Sequence, residues 1–206
     1  MKKQCKIIAF EGIDAIGKAT QSIKLTEHLS KKHKAIRVEF PIKARNLSSA
    51  NVTFKMIKYM LGNGLAGKLP NMFQVVQFLN KASFQLFWLN KLKKKYDYII
   101  LDRWSLSMWS YGKAAGVDQR VIKMMIKAVD SPDINIILSG TSFPKEDVDT
   151  YEKDISLQKA VHTNYLEINE NKIFSDLKCC FINANDDQDH VHNNVIKNLK
   201  NQNIIP

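Results

Sequence analysis

Cysteine is scarce: the 206-residue chain has three, Cys5, Cys179 and Cys180. The number is odd, two are adjacent, and none shows the CxxC spacing of a structural metal site. A disulfide framework is therefore not expected, and a reduced, cytoplasmic setting is. No apolar run approaches the roughly 20 residues that a bilayer span needs, so no membrane partner is expected. Glycine (8) and proline (5) are few, and no stretch is rich enough in Gly, Pro or Ser to read as a linker. With 45% apolar residues, residues 1–206 are expected to form one domain around a sizeable core.

Acidic residues are outnumbered, 20 against 31 Lys and Arg, which gives a net charge of +11. Nucleic acid, a membrane surface and a phosphorylated small molecule would all suit that balance. The lysines are dispersed except in KLKKK at 91–95, which closes a helical pattern and complements the helix dipole there. The charge thus gives no reason to expect a specific nucleic acid. The histidines, at 28, 33, 162, 190 and 192, form no catalytic constellation.

Short apolar runs alternate with helical periodicity along the chain. Lys6 to Phe10 reads as a buried strand that leads into a glycine loop, not as a signal peptide. Further strands are expected at Ala35 to Phe40, Tyr98 to Leu101, Ile134 to Leu138 and Cys179 to Ile182. Helices are expected near Thr20–Lys31, Val52–Leu61, Met72–Lys95, Ser107–Ala115, Asp118–Val129, Ser156–Glu167 and Asp189–Asn201. This order predicts an α/β fold, a five-stranded parallel sheet with helices on both faces. Ligands of such sheets gather at the carboxyl ends of the strands.

After the first strand comes Gly12-Ile13-Asp14-Ala15-Ile16-Gly17-Lys18, in strand, loop and helix context. Glycines let the backbone turn its amides toward a phosphate, the helix N-terminus adds positive potential, and Lys18 reaches the outer phosphates. Ala19 stands where a magnesium-binding hydroxyl is expected. Thr20 follows, but successive helix positions differ by about 100°, so its hydroxyl does not replace the missing one. Mg²⁺ leans on substrate phosphates and water, so losing one protein ligand weakens the metal site without abolishing it. The third strand ends in Leu101-Asp102-Arg103. A carboxylate there can orient a metal or its waters, and the Arg103 fork suits a phosphate.

Together with FEGID at 10–14, these pieces resemble the thymidylate kinase family of P-loop nucleoside monophosphate kinases. Phe40-Pro41-Ile42-Lys43, with Arg45 nearby, fits the family's Phe-Pro pair and basic residue. DRWSLSMWSYG keeps Asp102, Arg103, Ser107 and Tyr111, with Met108 between them. TYEKDISLQKAVHTNY at 150–165 resembles the Tyr-Glu pair and following helix, and FINANDDQDHVHNNV at 181–195 the last strand, adenine-side loop and helix.

The resemblance implies transfer of the ATP γ-phosphoryl group to a deoxynucleoside 5′-monophosphate, by default dTMP, with Mg²⁺. It implies that Gly12, Ala15, Ile16, Gly17, Lys18, Ala19 and Thr20 hold the triphosphate, with Asn183 and Ala184 on the adenine side. Asp14, Phe40, Lys43, Arg103, Ser107, Met108, Tyr111 and Tyr151 would hold the acceptor, and Asp102 would act on the metal through water. A homodimer and a short lid at about 140–155 are further implications.

The pattern is broken in two more places. The family's long helix carries a base-stacking Phe and, four residues on, a base-reading Arg. Counting back from Asp102 without gaps puts the pair at Phe78 and Ala82, so the arginine is expected to be absent, with Lys81 on another face. The lid has Lys145 and Lys153 but no arginine, and in related chemistry such a finger supplies about 10³ to 10⁵ in rate. Three readings stay open: a dTMP kinase, a kinase for another or modified pyrimidine deoxynucleotide such as a dUMP-like one, and a weakly active or non-catalytic nucleotide-binding homologue.

Overall fold

A computed structural model describes residues 4–42, 48–141, 155–170 and 173–206, with side chains at 48–50 left aside. Lys43, Arg45, Tyr151 and nearly all of the lid segment, with Lys145 and Lys153, lie outside the described residues.

Five parallel strands form one sheet: β1 (Lys6–Glu11), β2 (Ala35–Glu39), β3 (Tyr98–Asp102), β4 (Ile134–Ser139) and β5 (Cys179–Asn183), in the order β2-β3-β1-β4-β5. Every residue of β3, and all but the last of β4, is buried. With successive side chains pointing to opposite faces, that burial means both faces of the sheet are covered.

The helices are α1 (Lys18–Ser30), α2 (Ser48–Gly62), α3 (Leu65–Lys68), α4 (Pro70–Phe84), α5 (Asn90–Lys95), α6 (Ser105–Ala114), α7 (Gln119–Lys127), α8 (Ile155–Glu170) and α9 (Gln188–Asn201). Proline opens α4, where its missing N–H costs nothing. Between α4 and α5 the chain makes a π turn, Gln85–Leu89, inside the segment expected to be uninterrupted α-helix. The short helix α3 was not expected; it starts behind Gly64, whose φ of 63° ends the preceding turn. Helix α1 begins two residues earlier than expected, because Lys18 and Ala19 already belong to its first turn.

The core joins Ile8, Phe10, Ile100, Ile136 and Leu138 of the central strands to Leu25, Trp104, Ile122, Val161 and Val195 of the flanking helices. A smaller cluster of Ile57, Met60, Ala66, Phe73 and Val76 knits α2, α3 and α4. Strands β1 and β4 part company with the chain on opposite sides of the order reversal, so the loop after β1 sits at the switch point where such sheets bind ligands.

Candidate active site

The loop after β1 is shaped by backbone conformations that few side chains tolerate. Gly12 has φ 141° and Gly17 φ 96°, and Ala15 is left-handed at φ 56°. A Cβ on Gly12 would lie 2.6 Å from the Leu138 carbonyl oxygen, so only glycine lets the loop pass β4 this closely. Gly17 then caps α1, leaving the amides of its first turn open to a ligand. The Lys18 ammonium bonds the Ile13 carbonyl of its own loop. Burial and the neighbouring Arg103 pull its pKa down to about 7, against the opposing pull of Asp14, Asp102 and Glu11.

Beside this cradle, Asp14 collects three side chains. Arg103 pairs with its Oδ1, while the Tyr111 hydroxyl donates to Oδ2 at 2.6 Å and Gln158 Nε2 donates to Oδ2 at 2.9 Å. The Asp14 N–H in turn donates to Gln158 Oε1 at 3.1 Å. Burial alone would raise the Asp14 pKa, but Arg103 and Lys18 outweigh it and hold the carboxyl below its usual value. Arg103 itself stands at φ 68° just past β3, its N–H on the Phe10 carbonyl at 2.9 Å, so the guanidinium turns back over the loop and lies 5.2 Å from the Tyr111 ring centre.

One cavity of about 740 Å³ runs along these groups. Of the residues picked from the sequence, Asp14, Ala15 to Thr20, Phe40, Asp102, Arg103, Ser107, Tyr111 and Ala184 line it. Gly12 stays in the wall behind the loop. Met108 is fully buried and does not line the cavity; its carbonyl accepts Gln74 Nε2 of α4 at 2.9 Å. Asn183 shapes the turn after β5, its Oδ1 accepting the Asn185 N–H at 3.0 Å, and Ala184 alone of that pair lines the cavity.

The expected pair on the long helix needs correcting. Phe78 and Ala82 do not line the cavity, and Phe78 packs partly buried against the main core. Gln77 and Lys81 line it instead, with the same four-residue spacing, and Phe73 lines it one turn earlier. The π turn at Gln85–Leu89 explains the slip. A π turn holds one residue more than an α turn, so a gap-free count back from Asp102 lands one residue too late. A cation and an amide, Lys81 and Gln77, thus face the cavity where Ala82 and Phe78 were expected.

Lys81 is buried at 3% exposure and has no ion-pair partner among the described residues. Its ammonium lies 5.5 Å over the Phe40 ring centre, and burial lowers its pKa to about 8. Phe40 is itself wedged between Phe84 and Trp104, at 5.2 and 5.0 Å between ring centres. Asn80, next to Lys81, fixes the chain after β2 by accepting the Ile42 N–H at 2.8 Å.

Magnesium does not fit the protein side of this site. The Ala19 side chain offers no oxygen, and the Asp102 carboxylate pairs with Arg37 of β2. Among the described residues no group of three His, Cys, Asp or Glu side chains could hold a metal ion. Asp102, expected to act on the metal through water, is thus held through one of its oxygens by Arg37.

A triphosphate cradle at the switch point of a β2-β3-β1-β4-β5 sheet, with an acidic, arginine-bearing cavity beside it, defines a P-loop phosphotransferase of the nucleoside monophosphate kinase class. The thymidylate kinase family pattern matches residues 10–195. The chain belongs to the thymidylate kinase family. It is 32% identical over 197 residues to a probable thymidylate kinase of Saccharolobus solfataricus, covering 93% of this chain and 95% of that one. A probable thymidylate kinase of Methanocaldococcus jannaschii is 31% identical over 207 residues, covering 94% and 95%. The solved thymidylate kinase of Ehrlichia chaffeensis shares the fold, with a TM-score of 0.72 at 20% identity over 95% of this chain and 99% of that one. That of Candida albicans does too, with a TM-score of 0.74 at 18% identity over 97% and 93%.

Several working residues escaped the sequence reading. Glu11, Arg37 and Gln158 reach partners 15 to 154 positions away in sequence, and Gln77 and Lys81 face the cavity from the middle of a helix. Only Glu11 had a local signal, as the acid inside FEGID.

Proposed function

We propose that this chain transfers the γ-phosphoryl group of ATP to the 5′-phosphate of dTMP, giving dTDP and ADP. The observation that carries the reading is the Asp14–Arg103–Tyr111 set, which joins the phosphate cradle to a cavity ending at Phe73, Gln77 and Lys81.

The loop amides and Lys18 hold the triphosphate, with Lys18 exchanging the Ile13 carbonyl for phosphate oxygens. Residues 15–20 line that end, and Ala184 closes the adenine side. Arg103, oriented by Asp14, takes the acceptor phosphate together with Lys43, and Phe40, Ser107, Tyr111 and Tyr151 bound the rest of the acceptor. An oxygen of the acceptor phosphate forms a bond to the γ-phosphorus while the bond to the β,γ-bridging oxygen breaks, and its electron pair leaves with ADP. The nucleophile is already anionic, so no strong general base is required, and holding the two anions in line supplies the catalysis.

Lys81 reads the acceptor base in place of the family's arginine. An ammonium is a point charge rather than a planar fork, so it reads a carbonyl oxygen with less geometric selectivity. This favours acceptance of a second, dUMP-like pyrimidine nucleotide alongside dTMP. The protein acts as a homodimer in the cytoplasm, with magnesium supplied with the nucleotide. Among the described residues no helix is long and apolar enough to cross a membrane.

The test is an acceptor panel: ATP with each natural deoxynucleoside monophosphate and dUMP, following ADP release. Turnover with dTMP, lost in Lys18→Met, is the expected result; a panel with no turnover would overturn the reading.

A further inference from the structure

The register of β2 against β3 sets Glu39 beside Asp102 at the ends of the two strands. Both carboxylates line the cavity. Two carboxylates next to a phosphate cradle are hard oxygen donors of the kind that draw a divalent cation. Here one guanidinium takes both. Arg37, two residues before Glu39 on β2, bonds Asp102 through Nη2 and Glu39 through Nη1 at 3.1 Å. Its Nε donates to the Ser22 hydroxyl of α1 at 2.7 Å. The planar fork is thus pinned at three points, from β2, β3 and α1, with 19% of the Arg37 side chain and 7% of the Asp102 side chain exposed. A pair this shielded is not opened by solvent as a surface ion pair is. In the first turn of α1, position 19, where a hydroxyl ligand is expected, presents the methyl group of Ala19.

We propose that Arg37 stands in for a protein-bound metal: it takes up the Asp102 carboxylate and draws Glu39 to its other nitrogen, so beside the phosphate cradle the chain offers magnesium neither a hydroxyl at position 19 nor an unpaired Asp102, and the metal enters and leaves only as part of the metal–nucleotide complex. This rests on the phosphotransferase reading above and adds to it that selectivity among divalent ions comes from the nucleotide, not the protein. The Glu39 side chain is 65% exposed, so water competes for it as it does not for Asp102.

Manganese is the probe. Enzyme saturated with ADP is titrated with Mn²⁺ while free Mn²⁺ is read by electron paramagnetic resonance. The wild-type complex is expected to hold Mn²⁺ within about threefold of ADP alone, and Asp102→Asn to leave that value within the same range, because Arg37 already occupies the carboxylate. Arg37→Gln is expected to tighten Mn²⁺ about tenfold by freeing Asp102, and adding Asp102→Asn to it to reverse the gain. A wild-type complex at least about tenfold tighter than ADP alone, with Asp102→Asn abolishing the difference, would overturn the proposal. That comparison decides the matter even if Arg37→Gln does not fold. ADP binding in the presence of a chelator, measured on the same samples, tests the phosphate cradle separately.

Discussion

The Glu11 carboxylate sits under the first turn of α6 and accepts the Trp104 N–H at 2.9 Å. The same oxygen accepts the Leu106 N–H at 3.1 Å, and the other accepts the Ser107 hydroxyl and, at 3.3 Å, the Tyr165 hydroxyl. A fully buried acid at the end of β1 thus caps the helix that carries Ser107 and Tyr111 and fixes the turn from which Arg103 reaches Asp14.

Glu11→Gln keeps the volume but removes the charge and turns an amide donor toward the Ser107 and Tyr165 hydroxyls, which now donate to that oxygen. The expected loss is about 2–3 kcal/mol, from a charge-assisted network left partly unsatisfied. For a chain of this length that lowers Tm by roughly 4–12 °C, at about 2–4 °C per kcal/mol. Thermal unfolding by circular dichroism without ligands reads it, and an unchanged Tm would contradict the capping role.

Lys81 is expected to act on the acceptor rather than on ATP. In Lys81→Met, dTMP use should fall by roughly 10- to 150-fold in kcat/KM, the equivalent of one charged hydrogen bond of about 1.5–3 kcal/mol, with the KM for ATP little changed. Lys81→Arg should retain dTMP use and narrow the range of accepted bases, and Gln77→Phe should lower the KM for dTMP by restoring a stacking face. Initial rates across the acceptor panel separate these; a Lys81→Met enzyme with normal dTMP kinetics would remove Lys81 from the site.

Lys18 makes nucleotide binding depend on pH. In the free protein its pKa lies at about 7, and phosphate oxygens around it favour the charged form, so it rises in the complex. Below that value the ammonium is charged before and after binding and no proton moves. Above it the free protein is largely neutral at Lys18, so binding takes up a proton and the Kd for ADP weakens by up to about tenfold per pH unit. Calorimetry at about pH 8 in two buffers of different ionisation enthalpy should show that uptake, and Lys18→Met should not.

Gly12→Ala should be among the most damaging single-methyl changes. The added carbon meets the Leu138 carbonyl at 2.6 Å, and φ of 141° is costly for any other residue. A loss of about 1–3 kcal/mol in denaturant unfolding, together with weaker ADP binding, is expected. Unaltered stability would mean that the loop runs farther from β4 than described.

The parts legible in the sequence were those coded locally. Five apolar runs, four of them ending at or near glycine, proline or aspartate and the fifth at Asn183, marked all five strands, and the GIDAIGK loop marked the cradle. Arg103 and Asp14 were found separately, each from its own motif; their pairing appears only once β1 and β3 lie side by side. Arg37 could not be found at all, because a basic residue in an edge strand looks solvated until α1 brings Ser22 against it. The long helix failed differently. Its apolar spacing was read correctly as helical, but nothing in QLFWL announces an extra residue per turn.

That π turn has a consequence for how the length of this helix can vary. One extra residue taken up in a wide turn leaves α4 before it, and β3, Asp102 and Arg103 after it, in their places, so Phe73, Gln77 and Lys81 still face the cavity. The chain can therefore gain a residue here without its site being rebuilt.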